Sequence, residues 1–373
     1  MKTILNYILV LVITVGCKNL KTENPGMKIP IDYNLNNVLP FSESDYSYNV
    51  EIISLENLPE AYINFEGLQR LEVFENFYYI MSLGGTVRIF HKDGKYLTKI
   101  KKGRGPGEIL MPLDISFDKD SKKLEVLDMN DIKIYDHIGN FENSVQIKNK
   151  YVEFVKFGDV RIFLDSNKDP QQQFNYIILN KKGELKYFEN KYGPTLDPVI
   201  SPRHFNIYDD ELFLSSNYSN TIYRLNKTMN SPEKFAFIED MNTDQSVKNI
   251  NFAEYKKLCE SRNLFTKIAG FNKMDNNLYQ LSISKNVIKT YFFDAGKNKI
   301  YDHPLKDLPI LFKPACVDKL DEYFLFPTEI INERIEKAFL DKNPELYSKL
   351  KSEMIDEGAI SNLKVIHISY FRK

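Results

Sequence analysis

Gly103-Arg-Gly-Pro-Gly-Glu108 is the first place to look for chemistry in this chain. A glycine-rich loop can cradle phosphate with its backbone N–H groups, but that use needs a following Lys-Ser/Thr and a helix. Here the next residues read as the entry to a strand, so the glycines fit a tight loop with φ values closed to other residues. Arg104 and Glu108 remain as groups that either pair with each other or face a ligand. Asp240-Met-Asn242-Thr-Asp244 spaces oxygen ligands as a calcium loop does, but Gln245 and Asn251 stand where Gly and Glu belong. The start of a helix explains it better. The histidines (His91, His137, His204, His303, His367) show no metal-ligand spacing, and no Gly-x-Ser-x-Gly elbow occurs. Asp210-Glu211 and Asp321-Glu322 fall at expected turns, where solvated charge needs no catalytic explanation. The sequence therefore predicts no catalytic residues, no cofactor and no metal.

Composition narrows the class. Lys and Arg number 50 against 51 Asp and Glu, which lacks the basic excess of a nucleic-acid binder. Aromatic residues make up 13%, all Phe and Tyr with no Trp, a bias that favours strands. Cys259 and Cys316 fit no metal spacing, and both pairing and two free thiols are open.

The elements that carry these residues repeat. An apolar strand, an Asp or Asn, a Gly turn and a second strand recur around Gly94, Gly139 and Gly183, at intervals of 45 and 44 positions, with fainter copies at Ile222 and Thr290. Each copy has another strand pair upstream, such as Asp114-Ile-Ser-Phe and Leu124-Glu-Val-Leu-Asp. Four short strands in about 45 residues is one propeller blade. The units fall at 66–101, 112–148, 151–190, 203–239, 266–306 and 312 onward. The sixth lacks an outer strand, while Asn49 to Leu55 lacks a partner, so the N-terminal strand should close the ring. The expected fold is an all-β, six-bladed β-propeller over 49–373, with helical insertions at 249–264 and 329–355.

With strands lettered a to d from the axis, the a–b and c–d connections are short. The b–c and d–a connections hold the long pieces: 102–111, 165–173, 191–202, 240–265, 307–313 and 329–361. Binding residues concentrate on long loops carried by a rigid scaffold. The candidates on that face are Arg104, Glu108, Asp128, Asn130, Arg203, His204, Asn217 and Tyr218. The ligand class is open among glycan, peptide and protein. The alternative is a hydrolase or lyase acting on an extracellular polysaccharide or peptide.

At the N terminus, Met1-Lys2 precedes an apolar run from Ile4 to Gly16, too short to span a bilayer and of a length that suits a signal peptide. Thr14-Val-Gly-Cys17 resembles the lipobox of bacterial lipoproteins, with Thr14 in place of the usual Leu. Residues 1–16 then read as a signal peptide and Cys17 as a lipidated anchor to a membrane of the cell envelope. Residues 17–48, with Pro25, Pro30 and Pro40, read as a polar tether. Some thirty residues at ~3.3 Å each would reach roughly 100 Å.

Lys102-Gly-Arg-Gly-Pro-Gly-Glu108, Pro112-Leu-Asp-Ile-Ser-Phe-Asp, Leu124-Glu-Val-Leu-Asp128 and Ile132-Lys-Ile-Tyr-Asp136 together resemble an NHL-type repeat. They are similar to the six-bladed β-propeller lipoproteins of Gram-negative bacteria that carry this Gly-rich loop after blade one. Tyr79-Ile-Met-Ser82 departs from that pattern, which usually has Asp after the second strand. The resemblance implies a fold and an envelope location and lends no catalytic residue.

Overall fold

The computed structural model describes residues 26–373 except 64–67, 83–84, 148–150, 165–173, 191–202, 217–218, 229–230, 242–251, 285–287, 306–315 and 327–362, of which Pro344 and Ser348 are described. Three strands precede the first blade: β1 (Met27–Lys28), β2 (Val38–Leu39) and β3 (Tyr46–Ser54). Blade one is β4 (Leu68–Phe74), β5 (Phe77–Ser82), β6 (Val87–His91) and β7 (Tyr96–Ile100). Blade two is β8 (Pro112–Asp118), β9 (Lys123–Asp128), β10 (Asp131–Asp136) and β11 (Phe141–Gln146). Blade three is β12 (Glu153–Phe157), β13 (Val160–Leu164), β14 (Phe174–Leu179) and β15 (Leu185–Asn190). Blade four is β16 (Phe205–Tyr208), β17 (Glu211–Ser215), β18 (Thr221–Asn226) and β19 (Glu233–Phe237). Blade five is β20 (Lys267–Lys273), β21 (Leu278–Ser284), β22 (Ile288–Asp294) and β23 (Lys299–Asp302). Blade six is β24 (Cys316–Asp318), β25 (Asp321–Phe326), β26 (Lys364–Arg372) and, from the other end of the chain, β3.

The repeat glycines do what their spacing requires. Gly94, Gly139 and Gly183 take φ of +88°, +92° and +78° in the outer hairpins, a region that costs other residues strain. The fifth copy differs: its positive φ sits at Asn298 and not at Gly296, and Asn is the residue that best tolerates that region after Gly.

Strands buried on both faces need apolar side chains on both, and the core is accordingly divided among the gaps between blades. Six apolar clusters fill the six interfaces. Between blades one and two, Tyr79, Met81 and Ile89 meet Ile115, Phe117 and Val126, and Phe74 stacks on Phe117 at 4.2 Å. No interface belongs to one blade alone, so a single blade has no core of its own.

The ring closes as expected, and by a longer strand. β3 pairs antiparallel with all of β26, from Ser54 opposite Lys364 to Tyr46 opposite Arg372. The tether reading needs correction from Gly26 onward. β1 adds in parallel to β19, outside blade four, and β2 adds in parallel to β23, outside blade five. Ile29, Ile31, Tyr33 and Phe41 are buried. Ile29, Ile31 and Tyr33 alternate with Pro30 and Asp32, the two-residue period of an extended segment with one face on the protein. The prolines that suggested a tether are compatible with a strand added at a sheet edge.

Of the two expected helical insertions, α1 (Phe252–Ser261) is present. Its apolar face packs on the propeller through Tyr255 and Cys259, and the Tyr255 hydroxyl donates to the Thr266 carbonyl at 3.0 Å. The 329–355 segment lies almost wholly outside the described residues. Cys259 on α1 and Cys316 on β24 are not joined in a disulfide.

Candidate functional site

The d–a connections lead into the innermost strands, so the starts of β4, β8, β12, β16, β20 and β24 lie towards the face with the long loops. A set of charges around the axis stands there, and the Gly-rich loop between blades one and two leaves and re-enters the ring at that end while reaching along blade two to Phe141 at the start of β11.

The loop is held from within. Gly103 N–H donates to the Ile109 carbonyl and Ile109 N–H to the Lys101 carbonyl, both at 2.9 Å. The Glu108 carboxylate turns back and accepts the Gly105 N–H at 2.8 Å. A Cβ on Gly103 would lie 1.9 Å from Glu108 Oε2, so that position must be glycine while Glu108 lies inward. Gly107 has φ +74° and sits against Phe141, and the Tyr135 hydroxyl donates to its carbonyl at 3.2 Å. Asp128 accepts the N–H groups of Leu110 and Met111 at 2.8 and 2.6 Å and fixes the exit of the loop. Glu108 and Asp128 therefore serve the loop's own backbone. Arg104 is exposed and makes no ion pair with any described residue. Asn130 is exposed, and its carbonyl accepts the Ile147 N–H at 2.9 Å. Asn217 and Tyr218 lie outside the described residues.

The axial group joins four blades. Arg70 of β4 donates through Nε to Asp114 Oδ1 at 2.8 Å and reaches Glu153 Oε2 at 3.2 Å. The other Asp114 oxygen accepts the Phe154 N–H of β12 at 2.8 Å. Glu153 accepts the His204 backbone N–H at 2.7 Å and meets His204 Nδ1 at 2.8 Å. Arg203 pairs with Glu72 of β4 and donates to the carbonyls of Ile115 and Phe154 at 2.9 and 3.3 Å. Arg203 thus reaches blades one, two and three from blade four. One joint recurs along this seam: a polar side chain on one innermost strand accepts a backbone N–H from the next. Asp114 takes Phe154, Ser116 takes Lys156, Glu153 takes His204 and Asn206 takes Lys273. An innermost strand is an edge of its blade, and its unpaired N–H groups need such acceptors once buried.

Two carboxyls in this seam are driven apart in acidity. Burial pushes Asp114 up to about 7 against the attraction of Arg70, with Glu153 adding repulsion. Burial also pulls Glu153 upward, but His204 and Arg70 outweigh it and hold its carboxyl below the usual range. Such a split can assign a general acid and base. Here each of the four oxygens is already engaged and both residues are buried. The arrangement joins blades and leaves no oxygen for a substrate.

Of the residues singled out from the sequence, Arg203 and His204 join this seam, while Arg70, Glu72, Asp114 and Glu153 were not among them. A signal was present. Innermost strands carry polar residues two apart: Arg70 and Glu72, Asp114 and Ser116, His204 and Asn206. Period-two spacing puts each pair on one side of its strand.

The family model described as "Domain of unknown function (DUF4934)" matches residues 27–362. No curated protein matches the chain. Among solved structures, the fold is similar to a Bacteroides fragilis protein described as exported, with TM-score 0.60, 12% identity, and coverage of 87% of this chain and 95% of that one. It is more distantly similar to a Bacteroides thetaiotaomicron protein of unknown function, with TM-score 0.47, 12% identity, and 87% and 76% coverage. PorZ, a surface component of the type-IX secretion system of Porphyromonas gingivalis, matches with TM-score 0.39, 13% identity, and 70% and 29% coverage. Identities this low establish shared fold alone.

Proposed function

This chain belongs to the DUF4934 family, and from that premise we propose that it is a partner-binding propeller, exported and held to a membrane of the cell envelope by lipid on Cys17. The observation that carries the binding half is the state of Arg104. Its loop is rigid, and the nearby acid, Glu108, is turned onto the loop backbone instead of onto the guanidinium. Arg104 is left exposed as a planar donor fork suited to carboxylate, sulfate or phosphate groups. A loop braced by its own hydrogen bonds loses little backbone entropy on binding, so the cost is confined to ordering the arginine side chain. The reading extends to glycan, peptide or protein ligands on the b–c/d–a face, and it includes the NHL-like lipoprotein resemblance and a position at the outer membrane. The Bacteroides fragilis relative described as exported agrees with the envelope location.

The hydrolase or lyase alternative would draw on Asp114 and Glu153, where two carboxyls of different acidity meet. Their oxygens are occupied by Arg70, Phe154 and His204, so binding is favoured over catalysis.

The tests separate the two halves. Labelled palmitate should enter the wild-type protein and not Cys17→Ser, and the variant should leave the membrane fraction. Unlabelled wild type removes the anchor. Purified protein is then screened on glycan and peptide arrays beside Arg104→Ala. Hits lost in Arg104→Ala support the face assignment. Hits unchanged in it, but lost in Lys122→Ala or Asp209→Ala on the opposite face, reverse it.

A further inference from the structure

The chain decorates two of its own blades, and the same geometry is left open on a third. Outside blade four, Met27 lies opposite Ala236 and Lys28 opposite Phe237 in parallel register, and Ile29 N–H donates to the Phe237 carbonyl at 2.9 Å. Outside blade five, Val38 and Leu39 lie opposite Ile300 and Tyr301. In each case an apolar side chain just beyond the added strand is buried: Ile29 in one, Phe41 in the other.

Blade two matches the edge of blade four over its last two residues. Both carry a register bulge in the outer pair, between Ile222 and Tyr223 in blade four and, two residues further along, between Ile134 and Tyr135 in blade two. Ile147 N–H donates to the Asn130 carbonyl, as Ile238 N–H does to Asn220, both at 2.9 Å. Val145 and Gln146 therefore stand where Ala236 and Phe237 stand. Among the described residues no strand adds to β11, and five of its six side chains are exposed. A polar, bulged edge ordinarily discourages pairing. The blade-four edge carries its bulge at Phe235, beside the paired Ala236, so a bulge in the outer pair does not prevent strand addition.

The surroundings indicate what would pair there. Lys101, Lys102 and Arg104 are exposed on the Gly-rich loop, whose Gly107 touches Phe141 at the start of β11. The acid on β11, Glu142, is paired with Lys123. Leu110, Met111 and Phe141 are large apolar side chains exposed around the same loop. Exposed apolar groups collected beside exposed positive charge mark an interaction surface.

We propose that the outer edge of blade two binds an extended acidic segment of a partner protein by parallel strand addition. The segment's backbone bonds to β11, its carboxylates meet Lys101 and Arg104, and its apolar side chains cover Phe141, Leu110 and Met111. This rests on the reading of the Gly-rich loop as a binding element and names the partner class. Main-chain bonds supply affinity in this mode, and alternate side chains supply specificity.

The probe is a synthetic fluorescent hexapeptide, Glu-Val-Glu-Ile-Asp-Val, compared with Lys-Val-Lys-Ile-Lys-Val, by anisotropy and by hydrogen exchange of the protein. The acidic peptide should bind, weaken as salt rises, and slow exchange at Asn143 to Gln146. The double variant Lys101→Ala/Arg104→Ala should weaken it by about tenfold or more, the scale of one charge-assisted contact. Equal binding of the lysine peptide, absence of binding, or binding without protection of β11 overturns the proposal. If array hits depend on Arg104 while the acidic peptide leaves β11 unprotected, the binding reading stands and the edge proposal falls.

Discussion

Two arginines of this protein live in opposite circumstances. Arg203 reaches across the axis to Glu72 and to the carbonyls of two neighbouring innermost strands. Arg104 sits on a loop whose acid has turned away from it, and it faces water. Sequence reasoning treated them alike. The difference is geometric. Innermost strands converge at the axis, so a charge there is desolvated and must find partners within the ring. A loop residue between blades faces no such demand. Around the axis, ionisable groups hold blades together. On the loop, acids hold the backbone and leave the arginine for something else.

The largest way to test where this chain spends its side chains lies at the rim. A chain beginning at residue 26 should melt as the whole protein does. One beginning at residue 46 keeps β3 and the closed ring but loses Ile29, Ile31, Tyr33 and Phe41 from the core. At about 2 kcal/mol for each buried side chain, it should lose on the order of 5 kcal/mol or more and expose two strand edges. Equal melting temperatures would return residues 26–45 to the status of a tether.

Next comes the axis. Arg70→Ala strands Asp114 and Glu153 without their shared cation and should cost about 3–5 kcal/mol in chemical denaturation. A cost under about 1 kcal/mol would place the axial charges with ordinary surface pairs.

A smaller effect is carried by pH. Asp114 holds its proton up to about 7 when folded, against about 3.9 in an unfolded chain. Its contribution is therefore full below the unfolded value and is lost as pH rises through the folded one. Asn cannot titrate, so Asp114→Asn should gain on the wild type between about pH 4 and pH 7 in urea unfolding, with the gap level above that. A gap that stays constant or moves the other way would mean that Arg70 dominates burial at this site.

The smallest expected changes belong to the loop. Glu108→Ala removes the acceptor for Gly105 and should cost about 1–2 kcal/mol. Arg104→Ala should stay within about 0.5 kcal/mol of wild type, as surface changes do, while losing array hits. If Arg104→Ala destabilises as much as Glu108→Ala, the two arginines are alike after all.

The ring was legible because its signals are local and periodic. The glycine hairpins recur, and the unpaired strand at Asn49 matched the missing edge of blade six. The edge strands β1 and β2 were not, since two residues beside a proline make too short a period to stand out. The axial seam was not legible either, because its members come from four blades and no window of sequence holds two blades' contributions together. Glu108 and Asp128 were read as groups for a ligand because sequence cannot show that a nearby N–H lies within reach.

The clasp of β1 on blade four also sets a leash length. If Cys17 carries the lipid, the chain length from Cys17 to Gly26 limits the gap to about 30 Å at full stretch, against roughly 100 Å for a thirty-residue tether. Gly26, just ahead of β1, stands against Phe235 at the outer edge of blade four. The disc would ride on edge, like a wheel against a road, with blade four nearest the bilayer. Blades one and two and the Gly-rich loop would travel on the outward side, and both faces would stay open to what passes.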